Sequence, residues 1–339
     1  MYAMLALSAT LAACSGNPFE EEVVEDPDTG AQITSDRTVP PGTASPQPDA
    51  SLFRSEPTTA DSGNAQSGDG TVSAVSYDSA NDEFTVDGLA FDGDNVYSRG
   101  SAVGSLNQYA VYEADVQFSD PLNQVPVNQL THRAIYGVSN TGNTEFAIVR
   151  TGGYVGYGFG GFIYQRTGGV NLPTTGQAVY LGQAGGLRDF DGRGGLQYTT
   201  ADVRVDIDFD DFNDSTNVLG DGVKGSFSNR TIFDLSGNDI TDAFLQDFND
   251  KNTSSISSIP DLRFVIGPDR LDANGEIVGE LFSTFVDNTG TAQDFETGNY
   301  YAILSGDSAQ EMVGIYVVTG EDVVGDGQAR ETGGFIIYR

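Results

Sequence analysis

The sequence predicts an all-β protein in which an antiparallel, eight-stranded up-and-down β-barrel follows a smaller β region. Beyond Thr71 the chain is rich in Gly, Tyr, Phe, Val and Ile, alternates apolar with polar residues, and is broken by turn dipeptides such as Asp92-Gly93 and Asn274-Gly275. From Gln177 onward the alternating segments number eight, and eight strands suffice to close a small barrel. A lipoprotein signal and a disordered tether are expected to precede both β parts.

Residues 1–13 predict a lipoprotein signal peptide. The apolar and small residues from Ala3 to Ala13 are too few to span a bilayer, which needs about 20, but they suit a secretory signal. They run into Leu11-Ala12-Ala13-Cys14, a lipobox followed by the only cysteine in the chain. We therefore expect Cys14 to be lipidated and to hold the mature chain at a membrane through its acyl groups. An ordinary secretory signal with a chance cysteine is the alternative.

Residues 14–70 predict a disordered acidic tether. The stretch consists mainly of Asp, Glu, Pro, Thr, Ser and Gly and contains few aromatic residues. Such a composition cannot bury enough apolar surface to offset the entropy lost on ordering. We expect the tether to hold the folded part of the chain away from the bilayer.

Residues 71–166 are expected to form a smaller β region packed beside the barrel, with strands that include 110–118 and 145–150.

Residues 167–339 are expected to form the barrel. In 202–210 apolar and charged side chains alternate strictly, so one face of this strand is core and the other is in water. The predicted barrel segments are 177–187, 195–212, 221–235, 260–268, 275–286, 297–305, 310–319 and 330–339.

The connections of the barrel predict one elaborated end. Successive loops of an up-and-down barrel emerge at alternate ends, which places 188–194, 236–259, 287–296 and 320–329 together, opposite the mostly shorter 213–220, 269–274 and 306–309. The longest loop, 236–259, is polar and contains four aspartates, so we expect it to be solvated and not core. Within it, 240–248 could form a helical turn or two. We expect a protein partner to bind at 236–259, 287–296 and 320–329.

The charge of the chain excludes some partners. Sixteen basic residues stand against 49 acidic ones, a formal net charge of −33. Nucleic acid is excluded as a partner, because phosphate binding needs cationic stripes, and direct docking on anionic membranes is opposed. The lone cysteine also rules out a disulfide within the chain.

A motif near the C-terminus carries a family resemblance. Gly306-Asp307-Ser308-Ala309-Gln310-Glu311-Met312-Val313-Gly314, preceded by Tyr300-Tyr301-Ala302-Ile303, resembles the Gly-x-x-Ala-x-Glu-x-x-Gly hairpin of the transferrin-binding protein B family barrel. Gly279-Glu280-Leu281-Phe282 and Val223-Lys224-Gly225-Ser226-Phe227 resemble the glycine-bearing strands that precede it. The order of parts is also similar: lipobox, acidic tether, smaller β "handle", then eight-stranded barrel. In any barrel the glycines and the alanine of this motif serve close strand packing.

The resemblance implies a surface-displayed or outer-membrane lipoprotein that binds host proteins or carriers of metal or haem, and catalyses nothing. It covers residues 200–339 and the architecture. The chain departs from well-studied relatives, which have two lobes, because it has room for one. No ligand contacts are carried over.

Catalytic motifs are weak. Asp28-Thr29-Gly30 matches the aspartic-protease triplet but lies in the expected tether without a hydrophobic strand before it. His132 is the only histidine, so a His-based triad has one possible base. Strand residues follow it directly, which favours a structural or solvent-facing role. We therefore expect no enzyme activity and no cofactor.

Calcium is the only metal ion for which the sequence leaves a candidate site. One histidine and one cysteine are too few to build a metal site from these residue types. Asp206, Asp208 and Asp210 have the spacing that opens an EF-hand loop, but the glycine and the closing glutamate are missing. The segment 189–195 resembles only one unit of a calcium-binding repeat.

Together these observations predict a bacterial outer-membrane lipoprotein, with display at the cell surface as one orientation. It would act as a non-catalytic binding or accessory module whose ligand is a protein or a nutrient carrier. Two alternatives stay open: a structural or adhesion envelope lipoprotein without a small-molecule ligand, and an integral outer-membrane barrel.

Overall fold

The computed structural model describes residues 33–35, 51–55, 74–87, 89, 92–120, 122–153, 157–210, 222–267 and 270–339. The described residues belong to one compact unit, Ala31–Arg339. They form strands and one helix, so the predicted all-β class is confirmed. The predicted signal peptide 1–13, Cys14 and Asp28-Thr29-Gly30 lie outside the described residues.

The first part of the chain forms a curled sheet. Within the described residues, ten strands join it in the order β1-β3-β4-β5-β7-β10-β11-β12-β2, with β6 added beside β7, and β8 pairs separately with β9. The strands are β1 (Ile33–Ser35), β2 (Ser51–Ser55), β3 (Ala74–Asp78), β4 (Glu83–Asp87), β5 (Val96–Arg99), β6 (Ser105–Leu106), β7 (Tyr109–Ala114), β8 (Gln117–Ser119), β9 (Pro126–Asn128), β10 (His132–Val138), β11 (Thr144–Thr151) and β12 (Gly160–Thr167).

Two strands of this sheet come from the stretch predicted to be a disordered tether. β1 pairs parallel with β3, and β2 pairs antiparallel with β12. The rest of 14–70 lies outside the described residues.

The central strands of the sheet are buried on both faces. All eight residues of β11 are buried. Ala147 and Val149 face the sheet's own core together with Tyr136 of β10. Phe146 and Ile148 face the opposite way, into a core shared with the barrel. Alternate residues of one strand therefore serve two different cores.

The second part of the chain is the closed barrel that the sequence predicts. All eight predicted segments contain a strand, and β13 pairs with both β14 and β20, which closes the ring. The strands are β13 (Gln177–Phe190), β14 (Gln197–Asp208), β15 (Val223–Phe233), β16 (Leu262–Phe264), β17 (Glu276–Val286), β18 (Ala292–Ser305), β19 (Glu311–Glu321) and β20 (Gln328–Tyr338). The segment predicted at 260–268 keeps only the three residues of β16.

The interior of the barrel is filled by side chains. In β14, Val203, Val205 and Ile207 point inward and are buried, as the alternation of 202–210 predicts. Large rings fill the centre, where Phe227 lies 4.4 Å from Tyr316 and 5.5 Å from Phe335 between ring centroids. The lumen is thus a packed core.

The Gly306–Gly314 hairpin joins the barrel to the sheet. Gly306 and Ala309 both adopt positive φ, 96° and 49°, which shapes the turn before β19. A Cβ on Gly314 would lie 2.8 Å from the carbonyl oxygen of Tyr301, so strands crowd here as the motif predicts. The buried Glu311 accepts hydrogen bonds of 2.6 Å from the hydroxyls of Thr141, in the turn between β10 and β11, and Thr144 of β11.

Glycines bring the sheet against the barrel wall. Gly185 of β13 pairs with Gly334 of β20, and the Tyr109 and Phe146 rings of the sheet lie against these two positions. The Tyr109 hydroxyl donates to the carbonyl of Gln183 at 2.6 Å and accepts from the amide of Ile336 at 2.8 Å. The sheet is therefore fixed on β13 and β20 by apolar burial and by hydrogen bonds.

Candidate binding face at the loop end of the barrel

Four barrel connections meet at one end of the molecule, as their order in the sequence predicts. They are 191–196, 234–261, 287–291 and 322–327, and we call them the loop end. Lys251 Nζ donates to the carbonyl oxygens of Asp322 and Gly325 at 2.8 and 2.7 Å. The Arg193 guanidinium binds the Asp322 carboxylate, and the amide of Asn288 donates to the carbonyl of Thr253 at 3.1 Å. The four connections therefore form one surface.

The expectation that 236–259 is a solvated loop is wrong. Residues Thr241–Asn252 form helix α1, and its side chains Phe244, Leu245 and Phe248 are buried. They pack with Ile232, Ile259, Phe285 and Phe295 in a core of their own at the end of the barrel. The Phe248 ring lies 4.9 Å from Phe285 and 4.8 Å from Phe295. Asp242, Asp247 and Asp250 occupy the exposed face of this helix, whose inner face is apolar, and Asp239 precedes the helix.

A buried ion cluster lies between this helix and the barrel core. Arg230 donates to Glu296 at 2.6 Å and to Glu331 at 2.9 Å. Burial alone would raise the pKa of Glu331, but the charge of Arg230 and the hydrogen bond from Tyr316 bring it below the ordinary value. Burial lowers the pKa of the nearby Arg188. The cluster satisfies its own charges and offers no free group to a substrate.

A separate two-stranded hairpin, β8–β9, projects at the same end. β8 and β9 continue the β7–β10 pair outward, and their side chains are exposed or half-buried. Four apolar side chains on this hairpin are exposed: Val116 (58%), Leu122 (95%), Val125 (55%) and Val127 (46%). We call residues 116–120 and 122–127 the apolar hairpin.

The base of the hairpin is tied to the loop end. The amide of Gly152 donates to the carbonyl of Thr131 at 2.9 Å, and the amide of Gly195 in the first barrel connection donates to the carbonyl of Gly152. The apolar hairpin and the four connections therefore share one end of the molecule.

The loop end is acidic. Asp242, Asp247 and Asp250 on α1 and Asp326 are exposed, as is Asp294 near the start of β18, beside the connection 287–291. Of the cations there, Arg193 is paired with Asp322 and Lys251 with Glu321. The face thus combines an apolar hairpin with an excess of carboxylates.

The other candidate residues do not assemble into a site. His132 is fully buried, so a solvent-facing role is wrong and the structural one holds. Its Nδ1 donates to the carbonyl of Leu130 at 3.2 Å, while Nε2 has no partner within the described residues. Burial lowers the pKa of His132 to about 4.

The aspartates considered for calcium are engaged by neighbours. Asp206 binds Arg204 at 2.7 Å, Asp208 accepts from the Gln177 amide at 2.7 Å, and the buried Asp189 binds Arg330 at 2.7 Å. No group of three or more His, Cys, Asp or Glu side chains that could hold a metal ion occurs in the described part of the chain.

Comparisons with known proteins give structural neighbours alone. No family model and no curated protein matches the chain. Transferrin-binding protein B from Haemophilus parasuis Hp5 matches as a double mutant, with 12% identity, a TM-score of 0.35 and coverage of 76% of this chain and 41% of that chain. A single mutant of the same protein matches with 13% identity, a TM-score of 0.33 and coverage of 75% and 43%. Intact Ap-TbpB, with N and C lobes, matches with 12% identity, a TM-score of 0.31 and coverage of 79% and 55%.

All three are structures of transferrin-binding protein B, the family that the barrel motif resembles. The chain spans between 41% and 55% of the length of these three structures. The neighbours are named as binding proteins.

Truncation of the buried face of α1 tests the packing of the loop end. We expect Phe248→Ala to destabilise the protein by about 3–5 kcal/mol, because it removes a ring enclosed by other aromatic side chains. Gln246→Ala on the exposed face of the same helix is the matched control and should change stability by less than about 0.5 kcal/mol. Denaturant unfolding measures both. Equal stability of the two variants would show that α1 is not packed.

The only histidine provides a pH test. The folded protein holds His132 neutral down to a pKa of about 4, whereas the unfolded chain binds a proton near 6.5. Stability is therefore full above about pH 6.5 and falls as the pH decreases toward 4, by about 3 kcal/mol in total. The single imidazole resonance in proton NMR should titrate with a midpoint near 4. A midpoint near 6.5 would contradict the burial of this side chain.

Proposed function

We propose that this chain is a bacterial outer-membrane lipoprotein. It binds a protein partner through the loop end and the apolar hairpin, without catalysis. The observation that carries the proposal is the exposure of four apolar side chains on a hairpin that projects beside an acidic, well-packed loop surface. Exposed apolar side chains clustered in this way mark interaction sites.

The two features have complementary roles in binding. The apolar hairpin supplies side chains that a pocket on the partner can desolvate, and such central contacts carry most of the binding energy. The surrounding carboxylates favour a partner whose face is cationic and raise its rate of association at low salt. Because α1 and the connections are fixed by packing and hydrogen bonds, little conformational entropy is lost on binding.

The catalytic alternative lacks support in the described residues. The single histidine is buried and neutral, and the ion cluster around Arg230 is closed by α1 and by its own pairs. No nucleophile, base and orienting group lie together at the loop end.

The integral-barrel alternative conflicts with the side-chain pattern. A barrel that spans a membrane turns apolar side chains outward and polar ones inward. Here β14 turns Asp202, Arg204 and Asp206 outward, and its inward residues belong to the apolar core. Among the described residues, no helix has the length and apolar character needed to cross a membrane. Attachment through a lipid on Cys14 is the arrangement that we propose.

Substitutions in the apolar hairpin test the binding face. We expect Leu122→Ser combined with Val125→Ser to remove partners that the parent protein captures from extracellular and outer-membrane extracts, because the desolvated contacts are lost. Val278→Ser, which changes an exposed apolar residue on the barrel wall, is the control and should retain them. Raising the salt concentration should slow association. If the hairpin variant captures every partner of the parent, binding does not use this face, and a structural or adhesion role is favoured.

The lipid anchor has its own test. We expect Cys14→Ala to abolish acyl labelling and to move the protein from the detergent phase to the aqueous phase, because the only thiol of the chain is removed. Ser15→Ala is the matched control and should stay acylated. Unchanged labelling and partitioning of Cys14→Ala would overturn the anchor.

A further inference from the structure

The barrel wall has a seam at β16. This strand has three residues, whereas its neighbours β15 and β17 have eleven each. It pairs with β17 only through Arg263 and Phe264, opposite Phe282 and Leu281. Beyond this point, 283–286 of β17 face the irregular segment 253–261 in place of a strand. A β-bulge between Ser283 and Thr284 lies at the same level.

A cavity of about 310 Å³ opens at this seam. A volume of this size suits one small ligand. We call it the wall notch, and its lining is mainly polar. The residues that line it are Ser258, Ile259, Pro260, Asp261, Arg263, Phe282, Ser283 and Thr284.

The polar side chains of the wall notch are not paired with one another. Within the described residues, the side chains of Asp261 and Arg263 make neither a hydrogen bond nor an ion pair, whereas six other arginines are bound to carboxylates. The hydroxyl of Ser283 is buried and has no hydrogen-bond partner. Ser283 is on the inward face of β17, whereas Phe282 and Thr284 are on the outer face.

One side of the notch is held by the barrel interior. The carbonyl of Pro260 accepts a 3.2 Å hydrogen bond from Arg230, whose guanidinium is fixed by Glu296 and Glu331. The segment that carries Asp261 is therefore anchored to the buried ion cluster.

An exposed aromatic ring completes the lining. Phe282 is 37% exposed, an unusual position for a phenylalanine beside polar groups. It lies opposite Arg263 in the register of β16 and β17, so both side chains are on the outer face of the wall. The guanidinium makes no cation–π contact with this ring within the described residues, which leaves both groups free for a ligand.

We propose that the wall notch binds a neutral saccharide, one pyranose unit in size. A pyranose has a face of C–H groups that can lie on the Phe282 ring and a rim of hydroxyls that both donate and accept. Arg263 donates, Asp261 accepts, and the hydroxyls of Ser258 and Thr284 do either. One cation and one carboxylate leave the notch with no net charge, and a chain of net charge −33 repels anions. A neutral polyol therefore fits better than an oxyanion.

Saturation-transfer NMR with the full chain tests this proposal. The probes are the methyl glycosides of glucose, galactose, mannose and N-acetylglucosamine, and at least one should bind with a Kd in the millimolar range, as expected for a ligand of this size. Phe282→Ala and Arg263→Ala should each weaken binding at least tenfold. Val278→Ala, on the same outer face of β17 but outside the notch, is the control and should bind like the parent.

The variants also separate binding from folding. Arg263 is exposed, so Arg263→Ala should keep the parent melting temperature, and loss of binding in it cannot come from unfolding. The proposal is overturned if none of the four glycosides shows transfer, if transfer persists unchanged in both variants, or if inorganic phosphate binds at the notch and the glycosides do not. The site is independent of the apolar hairpin, so Leu122→Ser should leave glycoside binding intact.

Discussion

The close approach of two glycine pairs governs how this protein is assembled. Gly185-Gly186 of β13 lies opposite Gly334-Gly333 of β20. The outward glycines, Gly185 and Gly334, receive the Tyr109 and Phe146 rings of the ten-stranded sheet, and the inward Gly333 makes room for the Tyr316 ring in the barrel. Side chains at these positions would hold the sheet off the wall and displace the ring that reaches Glu331. The same four residues thus set the barrel interior and the position of the sheet.

That position has a functional consequence. Because the sheet is fixed on β13 and β20, the β7–β10 pair points toward the loop end and carries the apolar hairpin there. Sheet and barrel then contribute to one face, although neither would form it alone. The binding proposal depends on this arrangement, which packing within unit Ala31–Arg339 maintains.

The loop end and the wall notch are different kinds of surface. The loop end is wide and acidic with an apolar projection, which suits a protein. The wall notch is small, neutral and lined by hydroxyls beside one ring. Arg230 links them structurally, since it binds the carboxylates below α1 and the carbonyl of Pro260 at the notch. A rigid ion cluster with fully satisfied charges supports both surfaces.

The sequence by itself determined the eight barrel strands, the sharing of one end by four connections, and the crowding at Gly314. These features follow from local alternation and from loop order, which need no knowledge of distant contacts. It did not reveal the buried face of α1, because the aspartates of 236–259 dominate its composition and the phenylalanines become core only against Phe285 and Phe295. Nor did it reveal the exposure of the apolar hairpin, since the alternation of Val125 and Val127 is typical of a half-buried strand. Only the tertiary structure decided that no sheet covers that hairpin and that β16 stops after three residues, because both depend on which distant strand is available to pair.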